Sequence, residues 1–469
     1  MSPSLYRRAA ILFVIAIAAR ALTFGNPIVH VDEEFYFVTA RAMLDGALPY
    51  VDVWDRKPIG LFLLYLPAAA LGYPAGIWAY QAMALLFVAA TALGVARLAD
   101  RAGWQRGAVL SGVAYILWLN FADGQGGQAP IFYNLPMVIA ALLIAPDAGH
   151  DDAGVRMRRG LGAMALVGCA MQVKYTAVFE GAFFGLWWMW HDRHAANTRA
   201  RTILRAVPLV LVALLPTTLA WGWYAAQGHA AAFTMANFTS IFARRSDPAH
   251  DLLRNLAWLA LMMLPLLVVA AMSRRETAVA RFVAAWLVVA LGGVALFGSW
   301  FNHYALPLML PAAVCAGGWL GTHRRAAVTW LCIAFLTGQF LIVKKRNRRG
   351  DATQYSQLVA AVGPGPGTLF VYSGSPMLYV ATGRRPLSPW LFPTHLHLKR
   401  EQGSIGVDQA SEVRRILAAR PDRVVVSKQF GNERADVHDI VMAELARTYR
   451  QTATVRVGKD PVAVYTLAD

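Results

Sequence analysis

The feature that most constrains this chain is a series of apolar runs through its first 345 residues, broken by short basic clusters. Many of the runs approach the ~20 residues a helix needs to cross a bilayer. In lipid the backbone must pair with itself, so such runs can only be helices. The composition agrees, with 57% hydrophobic and 15% charged residues. A formal charge of +17 points to nucleic acid only if the basic residues form one face. Here they lie between apolar runs, which is the pattern of cytoplasmic loops, with attraction to anionic lipid as a second contribution. Nucleic acid is therefore excluded as a partner and membrane lipids are expected. Cys169, Cys315 and Cys332 all fall inside apolar runs and read as small core residues, with no disulfide framework.

The first run, Ala9 to Phe24, follows Arg7-Arg8 and has the look of a signal peptide. The later spans need it inserted to keep their orientation, so it reads as a retained anchor. Ile59 to Leu71 is short for a span and suits an interfacial or re-entrant helix. With that choice Gly76 to Leu98 is the second span, and Arg97, Arg101 and Arg106 fall on the cytoplasmic side. Spans follow at Gly107 to Leu119 and Ile131 to Ala145. Leu161 to Trp190 reads as two short helices broken at Lys174-Tyr175. Further spans are Val207 to Tyr224, Leu252 to Met272, Phe282 to Phe297, Ala305 to Leu320 and Ala327 to Val343.

The expectation is a polytopic α-helical membrane protein with about eleven transmembrane helices over residues 1–349. On this count the cluster KKRNRR (344–349) falls outside, against the positive-inside rule. A basic collar there suits anionic lipid headgroups. From Gly350 the pattern changes to short β-branched runs and amphipathic helices. Strands are expected at Leu369 to Tyr372, Arg423 to Val426, Thr452 to Val457 and Ala463 to Leu467. Helices are expected at Gln409 to Ala419 and Asp436 to Tyr449. Residues 350–469 thus read as a small α/β domain outside the membrane.

Between the first two spans, the outward loop 25–75 opens with Asp32, Glu33 and Glu34 and closes on Arg56-Lys57-Pro58. A carboxylate takes a proton from a hydroxyl, and a fixed cation holds a phosphate. Transfer of a sugar from a lipid phosphate needs both. Taken singly, the acids read as solvated loop carboxylates and the bases as snorkelling anchors. Asp123 lies in the Gly-rich outward loop DGQGGQ, where the backbone can approach a ligand. With Asp32 it forms a candidate pair for a divalent cation. Lys174 and Glu180 interrupt apolar sequence, where ionisable groups are costly; the plain reading is that they pair with each other. His303 and Tyr304 stand at the outer end of a span and also suit an interfacial belt. Arg244 and Arg245 read as lipid-facing, with Arg244 kept as a site candidate. His395 and His397 read as surface residues.

The segments DEEFYFVTARAMLDGALPY (32–50), WDRKPIG (54–60), DGQGGQ (123–128), QVKYT (172–176), NHYALPLMLP (302–311) and VYSGSPMLYVATGRRP (371–386) together resemble the polytopic GT-C glycosyltransferases. The likeness is to the bacterial branch related to protein O-mannosyltransferases and the lipid A aminoarabinose transferase. It covers nearly the whole chain. It implies a polyprenyl-phosphate-linked sugar as donor and inversion at the anomeric carbon. By motif it makes Asp32 the catalytic carboxylate with Glu33 beside it, and Lys57 the donor-phosphate contact. It sets Asp123, His303 and Tyr304 near the site. That group often has Lys-Pro-Pro where this chain has Lys57-Pro58-Ile59.

The expected function is therefore transfer of a sugar to an envelope acceptor, whether lipid, glycan or protein. The expected location is the outer face of a bacterial inner membrane, with the active site toward the periplasm. Arg56 or Lys174 would assist Lys57 at the leaving phosphate, and no nucleotide is needed. Rival readings are a secondary transporter, which places its charges near the bilayer midplane on repeated, broken helices, and a non-catalytic lipid-binding membrane protein. The candidate charges gather mostly at one face, and the sequence has no internal repeat.

Overall fold

A computed structural model describes residues 3–146, 152–196, 198–429 and 431–468. The chain is mostly helical and ends in one four-stranded sheet. Among the described residues, five helices are long and apolar enough to cross a membrane. They are Ala75–Arg101, Arg199–Ala226, Ala249–Ala271, Ala278–Leu296 and the helical stretch Arg324–Val362. Shorter apolar helices include Ile59–Ala70, Ala129–Ile144 and Met309–Thr322. The chain divides into two compact units, each built from separate stretches of sequence.

The first unit comprises Met1–Leu22, Ala82–Ala220 and Pro248–Ile342. Its helices approach through small residues, as expected where lipid offers no hydrophobic drive to association. A Cβ added at Gly107 would stand 1.9 Å from the carbonyl oxygen of Gly317, and one at Gly321 would stand 2.7 Å from the Gly107 nitrogen. These glycines let helices Ala108–Leu119 and Met309–Thr322 pack backbone to backbone. Several buried polar groups in this unit bond to backbone or to one another. Trp118 Nε1 donates to the Met262 carbonyl at 3.1 Å, and Asn120 Nδ2 to the Ala19 carbonyl at 3.0 Å. Arg156 and Arg205 both bind the Asp192 carboxylate, at 3.0 and 2.6 Å. The break expected at Lys174-Tyr175 is present, between helices Ala153–Met171 and Ala177–Ala196.

The second unit joins Thr23–Gln81, Trp221–Asp247 and Val343–Asp469. Its sheet has strands β1 (Leu369–Val371), β2 (Arg423–Ser427), β3 (Tyr449–Val457) and β4 (Asp460–Leu467), in the order β1-β2-β4-β3. The β1–β2 pair is parallel and the other two pairs are antiparallel. A tight turn with Gly458 at φ +62° closes the β3–β4 hairpin, and a register shift follows Gln451. Helices Gln409–Ala418 and Ala435–Thr448 lay Val413, Ile416, Val437, Val441 and Leu445 into a core with Val424 and Val426 of β2. Trp54, more than 300 residues upstream, is part of this same core. The N-terminal loop and the C-terminal α/β portion therefore share one packed interior.

Three expectations need correction. His395 and His397 are buried, not on the surface, because they sit in the short helix Pro393–His397 that closes this core. Cys169 and Cys332 are exposed on their helices, and only Cys315 is a core residue. Arg244 does not face outward. It is held by an acid that sequence reading passed over, described below.

Candidate functional site

In the second unit, the acidic helix Val31–Leu44 begins at His30, whose extended backbone and Nδ1 cap the first turn by accepting from the Asp32 N–H at 3.2 Å. Asp32, Glu33 and Glu34 fill that turn, where the helix dipole favours negative charge. Successive residues on a helix point about 100° apart, so the three acids meet different surroundings. Glu33 is fully buried and Glu34 is 2% exposed. Asp32 keeps 17% of its side-chain surface, with Oδ2 3.7 Å from His30 Nδ1. Glu34 accepts a hydrogen bond from Ser375 Oγ. Burial pushes its pKa up to about 7, against the opposing pull of Arg349 and of that hydrogen bond.

Residues 50–57 are tightly held. Tyr50 takes a left-handed backbone, φ 71°, and its hydroxyl donates to the Lys57 carbonyl at 2.8 Å. Its ring packs on Tyr224 and Phe233, at 5.3 and 5.5 Å between centroids. The Trp54 N–H donates to the Pro389 carbonyl at 2.9 Å, and its ring meets His395 edge-on at 4.7 Å. The Arg56 guanidinium lies 4.7 Å over the Trp54 ring. It pairs with Glu401 Oε2 at 2.7 Å and donates to Ser240 Oγ at 3.0 Å and Ser404 Oγ at 2.7 Å. Arg244 takes the other oxygen of Glu401 at 2.7 Å. Burial alone would raise the Glu401 pKa, but Arg56, Arg244, His395 and Arg400 outweigh it and hold it at about 2. His395 is pushed well below its ordinary value, first by burial and then by Arg56, Lys57 and Arg244, against Glu401.

Lys57 Nζ lies 5.7 Å from the Tyr36 ring of the acidic helix. The buried Asp55 senses both residues of the expected pair. Burial raises its pKa, Lys57 opposes that rise, and Asp32 adds to it. Asp32 and Lys57 thus share one electrostatic neighbourhood within this unit.

In the first unit, Lys174 occupies the turn between two helices, its ammonium 4.8 Å over the Tyr304 ring, a cation–π contact. Glu180 does not pair with it. Glu180 accepts from Trp286 Nε1 at 2.7 Å. Both acid and base line a cavity of about 410 Å³, open mouth included, walled by Phe179, Phe297, Tyr304 and Pro307. His303 stacks parallel to Phe301 at 6.0 Å and meets Tyr304 edge-on at 4.7 Å. Asp123 takes a left-handed backbone, φ 60°. The loop after it is gripped by the buried Arg20, which donates to the carbonyls of Gly124 and Gly126. At Gly124 the missing side chain serves a close approach within the chain, since a Cβ there would stand 2.6 Å from Leu306 Cδ2 and 2.9 Å from the Leu119 carbonyl oxygen.

No family model matches the chain, and no curated protein matches it in sequence. Its backbone matches ArnT from Cupriavidus metallidurans, solved bound to undecaprenyl phosphate, with a TM-score of 0.65 over 97% of both chains at 14% identity. The apo state of the same protein gives 0.59 over the same shares. This chain has the GT-C fold. The Archaeoglobus fulgidus oligosaccharyltransferase, solved with Zn and sulfate, scores 0.48 at 11% identity, over 89% of this chain and 67% of its own.

On this GT-C scaffold, Asp32, Glu33, Arg56, Lys57 and Arg244 belong to one compact unit, and Asp123, Lys174, His303 and Tyr304 to the other. Sequence reading missed Glu401, Ser404, Ser240 and Ser375. Nothing local marks them. Glu401 follows Lys399-Arg400 in an ordinary polar stretch, and only the fold brings it to Arg56, 345 residues upstream.

Proposed function

We propose that this protein is an inverting membrane glycosyltransferase that moves a sugar from a polyprenyl-phosphate donor to an envelope acceptor. Under this reading it works at the outer face of a bacterial inner membrane. The observation that carries the proposal is the sorting of the first-turn acids. Two are buried, while Asp32 stays partly exposed in the same electrostatic neighbourhood as Lys57. The ArnT-like backbone supports it.

In the proposed reaction Asp32 accepts the proton of an acceptor hydroxyl or amine as that atom attacks the anomeric carbon. The new bond forms on the face opposite the donor phosphate, and the bond from the anomeric carbon to the phosphate oxygen breaks. Polyprenyl phosphate leaves with the bonding pair, and Lys57 stabilises the charge that develops there. Arg56, engaged by Glu401, Ser240 and Ser404, shapes the loop that carries Lys57. Glu33, fully buried, supports the turn that presents Asp32. The roles of Asp123, His303 and Tyr304 are those the motif resemblance implies, and Lys174 is the candidate to assist Lys57 at the leaving phosphate.

A divalent cation fits the donor chemistry of Asp32, since carboxylate oxygens suit hard ions. It would supply charge neutralisation at the donor phosphate, and none of the steps above depends on it. Under this reading Pro3–Arg20, Ala108–Leu119, Ala129–Ile144, Ala153–Met171, Ala177–Ala196 and Met309–Thr322 join the five long helices as the eleven spans, with residues 350–469 on the outer side.

The test is mass spectrometry of envelope glycans and glycolipids with and without the protein, followed by turnover of a polyprenyl-phosphate sugar by purified variants. Asp32→Asn should lose transfer by at least ~100-fold, the usual scale of a missing general base. Near wild-type turnover by this variant would remove Asp32 from the reaction. Solute flux into liposomes without donor consumption would point instead to a transporter.

A further inference from the structure

Arg56, Ser240, Arg244, Asp247, Arg400, Glu401 and Ser404 come from three chain segments far apart in sequence, and all lie in the second unit. Glu401 is the hub. One carboxylate oxygen binds Arg56 and the other Arg244, each at 2.7 Å, and Arg400 Nε approaches at 3.6 Å. Asp247 meets Arg400 at 3.6 Å, and the Arg245 N–H donates to the Arg400 carbonyl at 3.0 Å. Three guanidinium groups therefore converge on two carboxylates. Ser240 reaches Arg56 Nε from the end of the π-helical turn Met235–Thr239. Turns of this kind often mark functional segments.

Arg56 is the residue before Lys57. Its side chain is fixed by Glu401, Ser240, Ser404 and the Trp54 ring, while the Lys57 carbonyl is fixed by the Tyr50 hydroxyl. A lysine on a flexible stem makes a poor phosphate clamp unless its backbone is held still, since misplacement of about 1 Å is costly in a reacting site. We infer that Glu401 is a positioning residue: by clamping Arg56 to Arg244 it fixes the 50–57 loop so that the Lys57 ammonium is set for an anionic phosphate ligand. The inference rests on the transferase reading for the identity of that ligand. The clamp itself does not. Without the Glu401 charge, Arg56, Arg244 and Arg400 face one another with Asp247 beside Arg400 and Asp55 beside Arg56 as the remaining counter-ions, and the loop loosens.

The experiment uses the full-length protein in detergent or nanodiscs, with Glu401→Gln, Arg244→Ala, the double variant and Glu401→Asp. Hydrogen–deuterium exchange over residues 50–57 reads the clamp without any need for activity. Steady-state turnover of a polyprenyl-phosphate sugar reads its consequence. Glu401→Gln should speed exchange in this loop by at least ~10-fold, a loss of about 1.4 kcal/mol of local stability. It should raise the donor KM about tenfold while kcat stays within about threefold. Arg244→Ala should act in the same direction, the double variant should fall well short of additivity, and Glu401→Asp should restore part of the KM.

Fast exchange with an unchanged KM would overturn the positioning role. Unchanged exchange would overturn the clamp. A reduced yield of folded protein with wild-type KM would mark Glu401 as merely structural and overturn the inference equally. If the wild type turns over no such donor while Glu401→Gln still loosens the loop, the transferase reading fails and the clamp stands.

Discussion

Glu34 offers a pH test that does not depend on the transferase reading. Its carboxyl is buried in the first turn of the acidic helix, against Ser375 of the C-terminal portion, with Arg349 and Asp32 as the charged groups acting on it. Burial lifts its pKa from 4.5 to about 7. The folded state then holds the proton more tightly than the unfolded chain. The protonated carboxyl costs nothing extra below pH 4.5, and folding loses stability as pH rises through the window from 4.5 to about 7. Lifting the value from 4.5 to about 7 corresponds to roughly 3 kcal/mol lost by pH 8. Glu34→Gln keeps the shape and an acceptor for Ser375 but cannot ionise. It should melt within about a degree of wild type at pH 5 and several degrees above it at pH 8. The assay is thermal unfolding of detergent-solubilised protein at matched ionic strength, followed by a fluorescent thiol probe or light scattering. A wild-type-minus-variant difference that stays flat between pH 5 and 8 would refute the account of how Glu34 is held.

Two further outcomes follow from named contacts. Lys57→Ala should cut kcat/KM for the donor by at least ~10-fold, about 1.4 kcal/mol of transition-state stabilisation, and should melt within a few degrees of wild type by the same thermal assay. Gly107→Ala places a methyl where the Gly317 carbonyl oxygen already stands 1.9 Å away. The helix pair must separate, so the variant should lose roughly 1–3 kcal/mol, the usual cost of overpacking, read as a lower midpoint in denaturant.

How much of this was legible in the sequence depends on the range of each signal. Apolar runs, the break at Lys174-Tyr175 and the strands and helices after Gly350 are local patterns, and the structure has them within a few residues of where the sequence points. The acidic turn was legible as composition, but not which acid is exposed. That depends on helical phase and on the side chains above it, and the fold buries Glu33 and Glu34 while sparing Asp32. His395 was misread because a short polar helix with two histidines looks solvated, yet Trp54 arrives from more than 300 residues away to cover it. Arg244 was misread for the same reason, since its partner Glu401 lies 157 residues downstream.

These misreadings share a cause that bears on the chemistry. The loop with the candidate cation is anchored by groups from two distant segments, so no window of sequence contains its support. A chain can keep the motif Arg56-Lys57-Pro58 and still lose its geometry if Glu401 or Arg244 changes. Conversely, Arg56 looks like a second phosphate ligand in the motif, while in the fold its donors are taken by Glu401, Ser240 and Ser404. The division of labour that follows, one cation for the loop and its neighbour for the ligand, makes Arg56→Lys the sharper probe. A lysine keeps the charge but cannot reach Glu401, Ser240 and Ser404 together. The variant should therefore behave like Glu401→Gln, with a raised donor KM. Wild-type kinetics in Arg56→Lys would show that charge alone suffices there and would return Arg56 to the role of a simple phosphate contact.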